Sequence, residues 1–203
     1  MKRSEFIKKT LAASALSISA PLIHHTSRYS DPIVPKKLIE GDRVGLVAPA
    51  GIIYNEEDFA RMQAQMEDFG FEVVLGEHVK ERYGYLAGRD EDRAGDLNAM
   101  FKDPDIDGIM AVRGGWGCAR ILPYLDFETI SGNPKVYCGF SDNTTLHHAF
   151  LAYSNLQTFH GPNGNSEWTD LTKESFRSVV MNGENVVYDS RSRVQTLKPG
   201  KAT

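Results

Sequence analysis

The sequence contains only two cysteines, Cys118 and Cys138, among 203 residues. Two cysteines cannot form a disulfide framework, and neither lies at the spacing from other ligand residues that zinc sites use. Because free cysteine is among the residue types that proteins bury most often, we expect both thiols inside the core. The cysteines therefore indicate no metal centre, and we expect no cofactor.

The chain also lacks an excess of positive charge. It has 23 lysines and arginines against 27 aspartates and glutamates, which gives a net charge of −4 and a pI near 5.9. A protein that binds nucleic acid usually presents a basic surface, so we expect no nucleic-acid partner. The apolar and charged fractions, 41% and 25%, are ordinary for a globular protein, and the length suits one domain plus a tail.

No apolar stretch is long enough to cross a bilayer, which takes about 20 residues in a helix. Near the N-terminus, positively charged residues precede an apolar stretch at 11–23 that contains several small residues. This order is typical of a secretory signal peptide, so we expect residues 1–23 to direct export to the periplasm. Ser4 occupies the place of the second arginine of a twin-arginine signal, which leaves the export route open. An uncleaved anchor or a frayed tail on a cytoplasmic protein is the alternative.

Residues 24–38 are interpreted as a linker, and residues 39–190 as an α/β domain. In the latter, apolar stretches alternate with segments of helical periodicity, which favours a doubly wound, mostly parallel sheet with helices on both faces, Rossmann- or flavodoxin-like. The loop at 76–88 is expected to leave Tyr83 and Tyr85 partly exposed. The predicted strands are 42–48, 71–75, 106–112, one that ends before Ser141, 156–160 and 186–188. The predicted helices run from Asn55 up to Gly70, from 90 to 101, from 118 to 122, from just after Ser141 onward, and from 172 to 181. In the helix after Ser141, the residues expected to face inward are Leu146, Ala149, Phe150 and Tyr153.

Ser141 lies at the predicted turn between a strand and a helix. A hydroxyl at such a turn projects out of the sheet at the positive end of the helix, where backbone N–H groups can hold an oxyanion. This makes Ser141 the candidate nucleophile. The alternative is a helix N-cap, a common position for serine, and the sequence has Asn143 where the turn of many serine hydrolases has glycine.

A second glycine-rich turn, at 113–117, follows the third predicted strand. The carboxyl ends of parallel strands meet at one edge of a sheet, so this turn and Ser141 should share that edge. Glycines let backbone N–H groups approach an anion closely, which makes the amides of Gly115 and Asp142 candidate oxyanion donors. The alternative is a tight turn that only needs positive φ angles.

A serine nucleophile needs a base. His147 and His148 lie in the helix after Ser141 and do not obviously face its hydroxyl. His160 ends the neighbouring predicted strand at the same edge, with a structural or pocket-wall role as its alternative, and no acidic residue is clearly placed to orient it. Cys118 could instead be the nucleophile of an amidotransferase-like hydrolase, although it follows a glycine loop rather than a strand.

Six short motifs together resemble the LD-carboxypeptidases, the S66 family of serine peptidases. Their order and spacing fit that family from residue 39 to the C-terminus, and the combination is specific although each motif alone is common. The motifs are Val-Ala-Pro-Ala at 47–50, Tyr-Leu-Ala-Gly at 85–88, Arg-Gly-Gly-Trp-Gly at 113–117, Leu-Asp at 125–126, Gly-Phe-Ser-Asp at 139–142 and His-Gly-Pro at 160–162.

The resemblance implies a serine carboxypeptidase that removes the terminal D-alanine from murein tetrapeptides during cell-wall recycling. Ser141 matches the family's nucleophile, and Gly115 and Asp142 match its backbone oxyanion donors. Trp116 stands where the family often has tyrosine beside the pocket. Arg113 is a further candidate for contacting the anionic peptide, although a structural ion pair is the more common role, and a related branch of the family cleaves a peptide–nucleotide antibiotic to give self-immunity.

The resemblance also implies a missing partner. The family's glutamate and histidine, which complete a Ser-His-Glu triad, lie in a C-terminal domain, and residues 191–203 match the start of the linker to it. We therefore expect these residues alone to bind peptide weakly and to turn over little, or to act as a non-catalytic muropeptide-binding module. An apolar surface left where that domain docks could support a homodimer.

Overall fold

The structure is a computed structural model that describes residues 31–185. The predicted signal peptide at 1–23, the first part of the predicted linker, the predicted strand at 186–188 and residues 191–203 lie outside the described residues. The predicted domain boundaries therefore stay predictions.

The core of the fold is a five-stranded sheet in which every described pairing is parallel. The strand order is β2-β1-β3-β4-β5, the flavodoxin-like order, in which the direction of winding reverses between β1 and β3. This confirms the predicted fold class. The strands are β1 Arg43–Val47, β2 Glu72–Leu75, β3 Gly108–Ala111, β4 Val136–Gly139 and β5 Phe159–His160.

Helices connect consecutive strands, as parallel pairing requires. Within residues 31–185, no helix is long and apolar enough to span a membrane. The helices are α1 Glu56–Glu67, α2 Asp90–Lys102, α3 Cys118–Ile121 with a 3-10 turn at Leu122–Tyr124, α4 Phe127–Gly132, α5 Thr144–Ser154 after a 3-10 turn at Ser141–Asn143, and α6 Asp170–Phe176, which continues as a π-helix at Arg177–Asn182.

The sheet is buried on both faces, because alternate strand residues point to opposite sides. Leu46 packs on the face covered by α1 and α6, where Met62 and Phe176 are buried. Its neighbour Val47 packs on the opposite face, where Leu97 of α2 and other apolar side chains from α3, α4 and α5 are buried. Two separate apolar layers therefore hold the strands, and their carboxyl ends, in place.

The prediction that Tyr153 faces inward is wrong. The side chain is 68% exposed, and its ring lies 5.0 Å from the ring of Phe127. Ser154 takes the inward position one residue later, where its hydroxyl donates to the Phe127 carbonyl at 2.9 Å. On a helix, the positions three and four residues after Phe150 both lie near its side of the helix. The hydrogen bond of Ser154 shows that the second of these positions, and not Tyr153, faces the core.

The fifth strand is shorter than predicted, and the segment before β1 accompanies it. Leu156 pairs with Ile33 rather than with β4, and Gln157 N–H donates to the Ile33 carbonyl at 2.9 Å. Residues 31–38 thus pack against the domain, with Leu38 buried in the core. The helix predicted at 172–181 begins at Asp170 and changes to π-helix, and Asn55 precedes α1 without a capping bond from its side chain.

An ion pair between His78 and Asp96 connects the loop after β2 to α2. His78 Nδ1 lies 2.8 Å from Asp96 Oδ1, and the His78 amide also donates to this buried carboxylate. The hydrogen bond to Asp96 raises the pKa of His78 above its ordinary value. Burial raises the pKa of Asp96, although its bonds to His78 act in the opposite direction.

The pair makes stability depend on pH. The pKa of His78 is higher in the folded than in the unfolded protein, where it is about 6.5. The stabilisation that protonated His78 gives the fold is therefore fully present below about pH 6.5 and is lost as pH rises through the folded pKa. We expect the Tm of the wild type to exceed that of His78→Gln at pH 6, and the excess to shrink by pH 8. An excess that grows with pH would contradict the assignment.

Candidate active site

Four loops meet at the carboxyl edge of the sheet, where sites lie in open parallel folds. They follow β1, β3, β4 and β5. Across the point where the winding reverses, Gly51 N–H donates to the Gly114 carbonyl at 3.2 Å. On the other side, Gly161 N–H donates to the Gly139 carbonyl at 3.2 Å. These bonds bring the loops that carry the candidate residues together.

Ser141 has an unusual backbone for a residue with a side chain. Its φ is 65°, and only one other non-glycine residue in 31–185 has a positive φ. Phe140 before it is extended, and a 3-10 turn begins at Ser141 itself. This sharp change from strand to helix leaves the serine exposed at the edge of the sheet.

The hydroxyl of Ser141 does not cap a helix. The residues at the N-cap positions are Phe140 for the 3-10 turn and Asn143 for α5, and neither turn receives a capping bond from a side chain. Within residues 31–185, Ser141 Oγ makes no hydrogen bond. The N-cap alternative is therefore not what the structure shows, and the hydroxyl is available for chemistry.

The glycine loop lies directly against Ser141. A Cβ at Gly114 would lie 2.8 Å from Ser141 Cβ and 3.2 Å from its Oγ, so only glycine permits this approach. Gly115 follows with a φ of 119°, in the region that favours glycine. Positive φ and close approach to the serine thus occur in the same loop, and the role of the Gly115 amide as an oxyanion donor stays a prediction.

Asp142 joins the serine turn to the glycine loop. Its carboxylate accepts a hydrogen bond from Cys118 N–H at 2.8 Å. Its own N–H belongs to the first turn of a helix, where amides have no partner within the helix. The side chain thus has a structural role, and the amide lies next to the candidate nucleophile.

Two buried asparagines hold the serine turn by hydrogen bonds, a structural role that was not predicted from the sequence. Asn143 Nδ2 donates to the carbonyls of Phe140 at 3.1 Å and Arg113 at 3.3 Å, and to Asn163 Oδ1 at 3.1 Å. Asn163 Oδ1 also accepts the Phe140 N–H at 3.0 Å, and Asn143 Oδ1 accepts the Tyr137 hydroxyl at 2.8 Å. The one sequence signal was the asparagine in place of the usual glycine.

His147 is a structural residue rather than a base for Ser141. Its Nε2 lies 2.8 Å from the Gly139 carbonyl and its Nδ1 lies 2.8 Å from the Thr158 hydroxyl. A carbonyl only accepts, so Nε2 carries the hydrogen and Nδ1 accepts from Thr158. Burial lowers the pKa of His147, which favours this neutral form.

His160 ends β5 at the same edge, and its neighbours there are aromatic rings. The side chain is exposed, and its ring lies 6.2 Å from the ring of Phe140 and 5.8 Å from the ring of His147. In the described part of the chain it makes no hydrogen bond to Ser141. The structure therefore places His160 beside the serine turn, as a wall residue.

Arg113 and Trp116 lie on the glycine loop. Arg113 Nη1 donates to the Ile52 carbonyl at 2.7 Å, and the guanidinium lies 5.5 Å and 5.7 Å from the rings of Tyr54 and Tyr85. The expected structural ion pair is therefore not formed among residues 31–185, and aromatic rings take its place. Trp116 is 57% exposed at the rim of the loop.

Tyr85 is a further residue of the site to which sequence reasoning gave no role. Its hydroxyl lies so close to Gly115 that a Cβ there would overlap it, and a Cβ at Gly51 would lie 3.4 Å away. Two glycines on neighbouring loops thus make room for one phenol. The signal was present in the motif at 85–88, but nothing in the sequence shows where the ring lies.

Both cysteines are buried, as predicted, and Cys118 is not placed as a nucleophile. Burial and the neighbouring Asp142 carboxylate raise the pKa of the Cys118 thiol, and burial raises that of Cys138 to about 12. A thiol that stays protonated and inaccessible does not attack a substrate. Among the described residues, no group of three or more His, Cys, Asp or Glu could hold a metal ion.

The comparison with known proteins identifies the family. Residues 44–161 match the model of the Peptidase_S66 family described as the LD-carboxypeptidase N-terminal domain. A probable murein peptide carboxypeptidase of Bacillus subtilis is 36% identical over 176 residues, which cover 83% of this chain and 54% of the relative. The chain belongs to the LD-carboxypeptidase family.

Two further relatives show the breadth of that family. The murein tetrapeptide carboxypeptidase of Pseudomonas aeruginosa is 41% identical over 121 residues, 59% of this chain and 39% of the relative. The solved structure of the microcin C7 self-immunity protein MccF has a TM-score of 0.72 at 27% identity, over 84% of this chain and 57% of that one. The chain thus spans about half the length of the relatives it matches.

The asparagine network should contribute measurably to stability. In Asn143→Ala the carbonyls of Phe140 and Arg113 and the buried Tyr137 hydroxyl lose their partner, so we expect the free energy of unfolding to fall by about 1–3 kcal/mol. Urea denaturation measures it. The matched control is Asn133→Ala, which removes an exposed asparagine that donates to the Thr129 carbonyl at 2.8 Å, and should cost much less. Equal losses in the free energy of unfolding of the two variants would contradict a stabilising role of the network.

Proposed function

We propose that this chain carries the nucleophile of a serine LD-carboxypeptidase that removes the terminal D-alanine from murein tetrapeptides. The observation that carries the proposal is Ser141, an exposed serine with a left-handed backbone and an unbonded hydroxyl, set against Gly114. Two relatives whose names include murein peptide or murein tetrapeptide carboxypeptidase support the substrate. Residues 1–23 would direct the protein to the periplasm.

In the proposed reaction, Ser141 Oγ attacks the carbonyl carbon of the bond before the terminal D-residue. The hydroxyl proton passes to a base, and the tetrahedral oxyanion is held by the N–H groups of Gly115 and Asp142. The C–N bond then breaks, and the protonated base gives its proton to the leaving amine. Water hydrolyses the acyl-enzyme by the same steps and restores Ser141.

The base is proposed to lie outside residues 31–185. Within them no histidine or carboxylate bonds to Ser141 Oγ, and the two histidines that flank the turn, His147 and His160, are placed as a structural and a wall residue. The relatives are about twice as long as the part this chain matches, which leaves room for a second domain that supplies a histidine and a glutamate. The 203 residues alone are then expected to release D-alanine slowly.

The substrate-binding roles of Arg113, Trp116 and His160 are part of the proposal. The guanidinium of Arg113, without an ion pair in 31–185, would attract the anionic peptide. Trp116, exposed on the glycine loop, and His160, beside Phe140, would flank the peptide on the two sides of Ser141. The likeness to the microcin C7 self-immunity protein supports a second candidate substrate, a peptide–nucleotide.

When a second domain of the family supplies the missing base, the proposal predicts that Ser141→Ala lowers the rate of D-alanine release by a factor on the order of 10⁴ to 10⁶. The 203 residues alone should show a much smaller loss, because removing one member of a triad costs nearly as much as removing all of them. The assay uses a murein tetrapeptide, with chromatographic detection of D-alanine. The matched control, Ser131→Ala on α4, should keep the wild-type rate. Hydrolysis that persists in Ser141→Ala and is lost in Cys118→Ala would overturn the assignment of the nucleophile.

A competition between substrates distinguishes the two candidates. Higher kcat/KM for the tetrapeptide than for an aminoacyl sulfamoyl nucleoside would support the murein activity, and the reverse order would favour self-immunity. Binding of the tetrapeptide without any release of D-alanine, even when the second domain of a two-domain relative is supplied, would instead indicate a binding module.

A further inference from the structure

The hydroxyl of Tyr85 lies at the proposed site but has no part in the reaction described above. It occupies the position that a Cβ of Gly115 would fill, and it lies 3.4 Å from the position of a Cβ at Gly51. Within residues 31–185 the hydroxyl makes no hydrogen bond, and the side chain is 43% exposed. A donor without a partner in residues 31–185 thus lies against the glycine whose N–H is the proposed oxyanion donor.

The backbone and the ring of Tyr85 are both held in place. Ile52 N–H donates to the Tyr85 carbonyl at 3.2 Å, and the next residue, Leu86, pairs with Gly51 in an antiparallel bridge. The guanidinium of Arg113 lies 5.7 Å from the centre of the ring and is itself bonded to the Ile52 carbonyl. The phenol is therefore positioned before substrate arrives, which lowers the cost of using it as a donor.

We propose that the Tyr85 hydroxyl donates a hydrogen bond to an anionic oxygen of the substrate bound over Gly115. This inference rests on the proposed function. Two oxygens have the required chemistry: the oxyanion formed at the scissile carbonyl, and the terminal carboxylate of the leaving D-residue. A hydrogen bond to a charged oxygen is about twice as strong as one between neutral groups, and the cation of Arg113 behind the ring favours negative charge at this place.

Tyr83 provides a matched control on the same loop. It lies two residues away, its side chain is 55% exposed, and its ring is stacked against the guanidinium of Arg89 at 5.4 Å. Tyr83→Phe and Tyr85→Phe remove the same hydroxyl from similar surroundings. Only Tyr85→Phe removes a hydroxyl that lies against the glycine loop. Neither substitution leaves a buried polar group unpaired.

The test compares the wild type, Tyr85→Phe and Tyr83→Phe on a tetrapeptide that ends in D-alanine and on the same peptide ending in D-alanine amide. Loss of a bond to the oxyanion should lower kcat by about 10–100-fold with KM unchanged, on both peptides. Loss of a bond to the carboxylate should raise KM about 10–100-fold for the free acid and not for the amide. If Tyr85→Phe stays within twofold of Tyr83→Phe on both peptides, the inference is wrong.

A binding measurement separates this inference from the proposed function. In the Ser141→Ala background, calorimetric titration with the free-acid tetrapeptide gives a Kd that needs no turnover. If the wild-type chain supplemented with the second domain releases no D-alanine, the proposed function fails; a Kd that Tyr85→Phe weakens about tenfold and Tyr83→Phe does not would still support a contact with the carboxylate. Equal Kd values in both variants, with no release of D-alanine, would overturn the contact itself.

Discussion

The left-handed backbone of Ser141 is the constraint on which the site depends. A side chain at positive φ costs of order 1–3 kcal/mol, and such a conformation persists only where its surroundings determine it. Here Asn143 and Asn163 hold both the carbonyl and the N–H of Phe140, the residue before the serine. The turn is therefore held by buried amide hydrogen bonds at its base.

The same network couples the serine turn to the glycine loop. Asn143 reaches the Arg113 carbonyl, and the Asp142 carboxylate holds Cys118 N–H, so both ends of the loop are bonded to residues next to Ser141. Gly114 can then approach the serine, and Gly115 can lie under the Tyr85 hydroxyl. The distance between the proposed nucleophile and the proposed amide donors is thus set by the sheet and by two hydrogen-bonded turns.

The fold follows from the sequence more completely than the site does. In the sequence, apolar stretches such as 106–112 alternate with segments of helical periodicity. This alternation determines the fold class, and a parallel sheet brings the carboxyl ends of β3 and β4 together. Periodicity does not separate Tyr153 from Ser154, because both lie near the inward face and one hydrogen bond decides between them. Nor does it reveal the contacts of Asn143 with Asn163, or of Tyr85 with Gly115, since those depend on tertiary distances between loops that are far apart in the chain.

The central claim is that Ser141 forms a covalent acyl intermediate. Its most direct test is intact mass spectrometry of the protein after rapid acid quenching with tetrapeptide, followed by peptide mapping. The account predicts a mass increase equal to the tripeptide acyl group, located on the peptide that contains Ser141 and absent from Ser141→Ala. Release of D-alanine without any adduct on that peptide, or an adduct on Cys118, would contradict it.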